Sequence, residues 1–393
     1  MASFPEEPLN LSAADGFGYF PADINQTLHD GKYTIVRKLG WGPRSSTWLV
    51  MSEGDEDEPY AAAKVFTVSA SKGVETSLLP VLQNELDPVD VSFAGIEDSF
   101  WEESVHGKHM CFVNPEYGLP LSGVLREAMS NSLRHAGLPV HSVQFTVVTV
   151  LEALEELHQE KVMHSGIKLE NLAFLAPADV EDELEEHLAE TPPGKAEFID
   201  GFPTVRSQPL ANYEVRWDDS MRDVTDWLLE LVGFGHVQVP PYAPEREHDY
   251  NSAPETLLGN PTCGLSTDVW MLGCLAFELV TGTKLFTSTG TPSEQLGEIR
   301  DVLQDTIPDA WQGDPNVQAL QDPNTSVESL EERLRRVLNK CEATEMSAFL
   351  RKCLVIDPAA RQSARDLRDD DWLKFASQKC SCYYEVPRDV SRL

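Results

Sequence analysis

Val143, Val147, Val150, Leu151, Leu154 and Leu157 recur at intervals of three and four, a spacing that puts one apolar face on a helix running up to His164. Trp270 to Val280 is apolar on nearly every side, as expected of a helix buried at the centre of a helical unit. The first third of the chain reads differently. From Tyr33 to Val50, β-branched and aromatic residues flank Gly40 and Gly42, which predicts two antiparallel strands joined by a glycine turn. Tyr60 to Val68 predicts a third strand carrying Lys64, and His109 to Asn114 a further one that leaves through Pro115, Glu116, Tyr117 and Gly118. Val74 to Leu86 predicts a helix, with Pro80 imposing a kink or a late start. Strands followed by helices make an α+β chain.

Two stretches lack apolar periodicity. Residues 1–30 carry Pro, Asn and Asp and read as an extended arm laid on the strand-rich part. Residues 176–226 are rich in acids, with Pro192, Pro193 and Gly194 in tandem, and read as mostly surface loop. No internal repeat is visible.

Charge narrows the range of partners. With 65 Asp plus Glu against 31 Lys plus Arg, the 393-residue chain carries a formal charge of −34, which disfavours nucleic acid and anionic membranes. Acids cluster at Glu53 to Glu58, at Glu181 to Glu186 and at Asp369 to Asp371. Each run is an ordinary solvated surface taken alone, and together they form a negative field suited to a basic partner. The seven cysteines, at 111, 263, 274, 341, 353, 380 and 382, lack metal-ligand spacing and point to a reducing interior. Met1 to Leu11 lacks a basic apolar leader, and Trp270 to Val280 is too short to span a bilayer. A soluble protein of the cytoplasm or nucleus is expected.

The candidate chemistry comes in a fixed order along the chain. Gly40 and Gly42 are followed by Ala62, Ala63 and Lys64, then by the run His164, Ser165, Gly166, Ile167, Lys168, Leu169, Glu170, Asn171. Gly233, Phe234 and Gly235 come next, then Ala253, Pro254 and Glu255, then Asp268, and late in the chain Asp357, Pro358 and Arg361. This series resembles the motif order of protein kinases. Within that superfamily the chain is most similar to the SR-protein kinases, which act on Arg/Ser-repeat proteins. Lys38 to Gly42, Ser46 to Leu49, Trp270 to Leu275 and the long segment between Asn171 and Gly233 carry that likeness, which runs from about residue 17 to about 375.

The resemblance implies a bilobal α+β kinase fold: arm 1–30, small lobe 31–114, hinge 115–118, large lobe 119–376 including the spacer 176–226, and tail 377–393. It implies ATP as cofactor, met by Gly40, Gly42, Thr47, Ala62, Lys64, Glu75, Asn114, Pro115 and Glu116. Lys64 would hold phosphates and be oriented by Glu75, with Glu85 the alternative. Pro43 removes one amide donor from the glycine turn, and Ser45 stands where the pattern has its third glycine, so phosphate contact is weakened. Lys168 would meet the transferred phosphate and Asn171 a metal. Gly166 stands at the position of the catalytic Asp and Gly233 at that of the metal-binding Asp, which makes Mg²⁺ binding doubtful.

General-base help is worth about 10² to 10⁴ in rate, or roughly 3 to 5 kcal/mol of barrier, so these two glycines predict a slow or silent enzyme. The expected function is therefore that of a pseudokinase binding or scaffolding basic Arg/Ser-type proteins, with an active kinase relative as a further candidate partner. The alternative is a working Ser/Thr kinase using a substitute acid, for which Glu170, Asp200 and Asp226 are the neighbours in sequence. Ser252 stands where the family has Arg, which puts the inherited mode of serine recognition in doubt.

Overall fold

Alternation of small and large apolar residues along the early strands builds a six-stranded antiparallel sheet. In the computed structural model, which describes residues 4–54, 59–80, 96–114, 117–131, 137–175, 181–210, 215–245 and 248–374, its order is β1-β2-β3-β4-β6-β5. The strands are β1 (Thr27–Leu28), β2 (Tyr33–Gly42), β3 (Ser45–Ser52), β4 (Tyr60–Phe66), β5 (Asp98–Ser104) and β6 (Gly107–Asn114). Trp48, Val50, Ala63, Val65, Cys111 and Val113 fall on one face and close a buried core with Phe20, Ile35 and Val205. A three-stranded sheet of order β11-β8-β7 joins β7 (Tyr117–Pro120), β8 (Leu172–Leu175) and β11 (Leu229–Leu231).

The chain forms two compact units. Unit 1 holds Met1–Pro120, Ala173–Tyr213 and Leu228–Gly235; unit 2 holds Leu121–Leu172, Glu214–Trp227 and His236–Leu393. The division after Pro120 falls beside the expected hinge, of which Pro115 and Glu116 lie outside the described residues, as do Asp55 to Glu58 and the tail from residue 375.

The spacer departs from its expected place and form. Instead of a loop of the large lobe, its residues up to Tyr213 group with unit 1 and form a helix, Glu181–Glu190, and a hairpin of β9 (Ala196–Ile199) and β10 (Phe202–Val205). Leu184 and Leu188, one helical turn apart, pack with Leu210 on Leu49, Val36, Leu39 and Tyr60. Two leucines in an acidic run are invisible to composition but suffice for a narrow apolar stripe.

The arm is docked on unit 1. Lys38, fully buried on β2, donates its Nζ to Glu6, Glu7 and the Val205 carbonyl, and Glu6 also accepts from the Ser207 amide and hydroxyl. Phe4 packs edge-on against Phe17 and Phe202. The predicted helix at 74–86 begins earlier, as Val68–Gly73, and widens into a π turn over Val74–Leu78; residues beyond Pro80 up to 95 lie outside the described set.

Unit 2 is helical. Val143, Val147, Val150, Leu151, Leu154 and Leu157 are buried along the helix Val140–Gln159, as their spacing predicts. The helix Leu265–Thr281 is buried from Thr267 to Thr281 except at Glu278 and stops at Gly282 in the left-handed conformation (φ 70°). A Cβ at Gly273 would come within 2.8 Å of Leu354, so glycine there permits the close packing of the helix Lys340–Cys353. No helix among the described residues is long and apolar enough to cross a membrane.

Candidate functional site

In unit 1, Gly42 pairs with Ser45 and Gly40 with Thr47, so β2 and β3 close through the two-residue turn Pro43–Arg44. Neither Gly40 nor Gly42 has a positive φ, and a Cβ built on either meets nothing within 4 Å. Backbone conformation and internal packing therefore leave both positions free of any need for glycine, whereas a ligand approaching the backbone would supply one. The Tyr19 hydroxyl donates to the Gly42 carbonyl at 2.8 Å, and its ring meets Trp41 edge-on at 5.9 Å.

Lys64 sits on β4 opposite Thr47 on one side and Phe112 on the other, with its ammonium 5.7 Å from the centre of the Phe66 ring. Ala62 is buried and pairs with Asn114. Glu75 does not orient Lys64. It lies exposed on the π turn and accepts the Trp101 indole N–H at 3.2 Å, because the helix starts early and turns this carboxylate outward. Glu85, Pro115 and Glu116 lie outside the described residues. Gly233 follows β11 with φ 87°, and its carbonyl accepts the Gly235 amide at 2.7 Å. Such a turn favours glycine for conformational reasons independent of metal binding.

In unit 2 the buried carboxylate of Asp268, on the helix Leu265–Thr281, accepts the amides of His164 at 2.8 Å and Ser165 at 2.7 Å, and His158 Nε2 lies 3.1 Å away. Ser165 needs that support, since it is held at φ 63°. The Gly166 amide donates to His164 Nδ1 at 3.1 Å, and Asn171 Nδ2 donates to the Gly166 carbonyl at 2.7 Å. Gly166 is buried, Lys168 half-buried and Glu170 exposed. A Cβ at Gly166 would meet Asn171 Nδ2 at 2.8 Å and the His164 ring at 3.2 Å, so the nearest obstacle is the mobile end of one amide. Magnesium calls for oxygen donors, carboxylates above all; of the two motifs, Asn171 offers one amide oxygen and Gly233 none.

None of the acids singled out as substitutes is among the closest neighbours of that Cβ. Asp200 is exposed in the β9–β10 turn of unit 1, and Asp226 is exposed at the end of the short turn Asp223–Asp226. Two histidines without a role in the sequence pattern do reach the loop or its neighbourhood. His248 Nε2 hydrogen-bonds the Ser165 carbonyl, and its ring stacks on His236 with centroids 4.0 Å apart. His236 in turn bonds Glu245 at 2.9 Å through Nδ1. Burial above all, then His236, holds the His248 pKa below the usual imidazole value. Glu230 on β11 was likewise without a role: burial pushes its carboxyl up to about 7, and its Oε2 has no hydrogen-bond partner. No local signal marked these residues, since the contacts join segments 83 positions apart in the case of His248.

Below the loop, Glu255 forms two hydrogen bonds with Arg361, of 2.7 and 2.6 Å, in a fully buried pair, and the guanidinium lies 5.0 Å from the Trp270 ring. Ser252, at φ 54°, donates its hydroxyl to Gln295 at 3.1 Å.

Comparison with known proteins points to the same fold. The family description "Protein kinase domain" matches residues 243–373. Serine/threonine-protein kinase SRPK of Physarum polycephalum is 26 % identical over 295 residues, 68 % of this chain and 65 % of that protein. SRSF protein kinase 3 of Mus musculus is 34 % identical over 163 residues, 39 % of this chain and 27 % of that one. Protein kinase dsk1 of Schizosaccharomyces pombe is 30 % identical over 177 residues, 43 % and 31 % of the two chains. The chain thus spans less than two thirds of the length of each of these relatives. A crystal structure of a kinase domain superposes with a TM-score of 0.61 at 18 % identity, covering 90 % of this chain and 98 % of that one.

Proposed function

The chain has the α+β protein-kinase fold, with a sheet-based small unit, a helical large unit and SR-protein kinases among its relatives, and on that basis we propose that it binds basic Arg/Ser-type proteins while transferring phosphate slowly or not at all. The observation that carries this reading is the catalytic loop. Asp268, His164 and Asn171 all hold its backbone, yet Gly166 brings no carboxylate to the substrate hydroxyl. Loss of a carboxylate at Gly233 removes the other charged part, and a weakly held Mg²⁺ follows from the donors that remain.

Nucleotide binding is the retained half of the machinery. Gly40 and Gly42 leave open space at their α-carbons, Ala62 is small, and Lys64 supplies a cation on a stiff strand. The net charge of −34 favours a basic partner through long-range attraction, and competition with an active relative for that partner is the role this suggests. A cytoplasmic or nuclear setting goes with such partners. The second reading, phosphoryl transfer through a substitute group, is favoured by His248 at the loop.

The test is fluorescence anisotropy of a labelled Arg/Ser-repeat peptide, with ATP protection against thermal unfolding measured in parallel. Binding is expected to weaken about tenfold or more between roughly 50 and 300 mM salt, and protection to vanish in Lys64→Ala. Salt-insensitive binding, or no binding, would remove the electrostatic basis of the proposal.

A further inference from the structure

The glycine turn of unit 1 is held from outside, by the arm. Gly40 and Gly42 meet nothing within 4 Å of a Cβ built on them, so the hairpin tip has little packing of its own to fix a backbone that glycine leaves free. Two carbonyls of the tip are instead taken by donors: the Tyr19 hydroxyl donates to Gly42 and the Thr67 amide to Arg44, each at 2.8 Å. A carbonyl drawn to a donor cannot swing its negative end toward an anion at the same turn. That matters more here than in an ordinary glycine turn, because Pro43 between them has no N–H to offset a misdirected carbonyl. Tyr19 is 2 % exposed and edge-on to Trp41, and burial, then Glu7, raises its phenol above the ordinary value, so the hydroxyl keeps the proton it donates. The arm is framed around it. The Gly18 amide donates to the Leu11 carbonyl at 2.9 Å, and the Gly18 carbonyl accepts the Val68 amide at 3.1 Å. Gly18 lies at φ 84°, where a Cβ would come within 3.0 Å of the Ala13 nitrogen, so the bend requires glycine. Four residues before Gly42 on β2, Lys38 holds Glu6 and Glu7, and the arm thus grips one strand at two points.

We propose that Tyr19 is a positioning residue for nucleotide phosphates: through its hydroxyl the arm fixes the turn from Gly40 to Ser45 in the form that receives them, so that arm docking and phosphate binding are coupled. The inference rests on the nucleotide-binding part of the function proposed above, and every group in it belongs to unit 1. Coupling of this kind is reciprocal, so phosphates tighten the arm by the factor by which the arm tightens phosphates. Adenosine, which has no phosphate to present to the turn, stays outside the coupling.

Calorimetric titration of ATP and of adenosine into three full-length proteins decides it: wild type, Tyr19→Phe and Leu184→Ala. Phenylalanine keeps the ring beside Trp41 and removes only the donor to Gly42. Tyr19→Phe is expected to weaken ATP about three- to tenfold and to leave adenosine within about twofold. Leu184→Ala loosens the packing on Leu49 away from the turn and shows what a plain loss of stability does, which is to change both ligands alike. A Tyr19→Phe protein that follows the Leu184→Ala pattern, or that binds ATP as wild type does, would overturn the proposal and leave nucleotide binding standing. A wild type that binds neither ligand would end both.

Should Tyr19→Phe fold poorly, amide hydrogen exchange on the wild type decides instead. Saturating ATP should slow exchange at Gly18 and Val68, whose amides depend on the docked arm, by about the same three- to tenfold, whereas saturating adenosine should not. Exchange in the arm that ATP leaves unchanged, or that adenosine slows equally, overturns the assignment.

Discussion

Replacing Asp268 by Asn should cost about 2 to 4 kcal/mol and act first on the loop that begins at His164. The carboxylate is fully buried and serves three donors, with His164 N and His158 Nε2 on Oδ2 and Ser165 N on Oδ1. An asparagine has one acceptor oxygen, and its better orientation keeps that oxygen at the Oδ2 position, where it serves two donors. Its NH₂ then faces the Ser165 amide, leaving a buried backbone N–H unpaired at a cost of about 1 to 3 kcal/mol. Loss of charge on the remaining bonds adds about 1 kcal/mol. The orphaned residue is also the strained one, since Ser165 is held at φ 63°. Urea unfolding gives the global figure, and amide hydrogen exchange gives the local one, with Ser165 and Gly166 expected to lose the most protection. A loss under about 1 kcal/mol with unchanged exchange in the loop would refute the view that Asp268 holds it in place.

Other outcomes follow from the same structure. Arg361→Ala strands the Glu255 carboxylate in the core and should cost about 3 to 5 kcal/mol in urea unfolding, whereas an exposed pair such as Arg206 with Glu197 should cost under about 1 kcal/mol. Glu230 titrates at about 7 when folded against an ordinary value of 4.5, so its contribution is full below 4.5 and is lost as pH rises through about 7. Glu230→Gln should therefore flatten the stability profile across that window and be the more stable protein at alkaline pH, by about 1 to 3 kcal/mol; an unchanged profile would contradict the burial argument. Leu184→Ala should cost about 2 to 3 kcal/mol and speed proteolytic cleavage in the spacer, because that side chain anchors the helix Glu181–Glu190 to Leu49.

Much of the fold was legible because it is written in short-range periodicity. The three-and-four spacing from Val143 to Leu157 and the apolar run from Trp270 to Val280 each describe one helix and the face it buries, and both helices occupy the interior of unit 2. The glycine hairpin and the Lys64 strand were readable for the same reason, each being set by neighbours along the chain. That residue 166 carries no carboxylate is likewise a fact of sequence, as no fold can give glycine a side chain.

What required tertiary structure was which distant residues meet. Sequence order favoured Glu75 as the partner of Lys64, but an early helix start turned it to Trp101. Composition put the spacer in solvent, but two leucines a turn apart found Leu49. Gly233 read as a missing ligand, and its φ of 87° adds a conformational reason for glycine. His236 and His248 carried no local signal at all, since an imidazole acquires a role only from the backbone and rings that surround it. Periodicity depends on residues a few positions apart and is therefore carried by sequence, whereas pKa, hydrogen-bond partner and exposure depend on whatever the chain's other segments bring within a few ångströms, and those are decided only when the chain has folded.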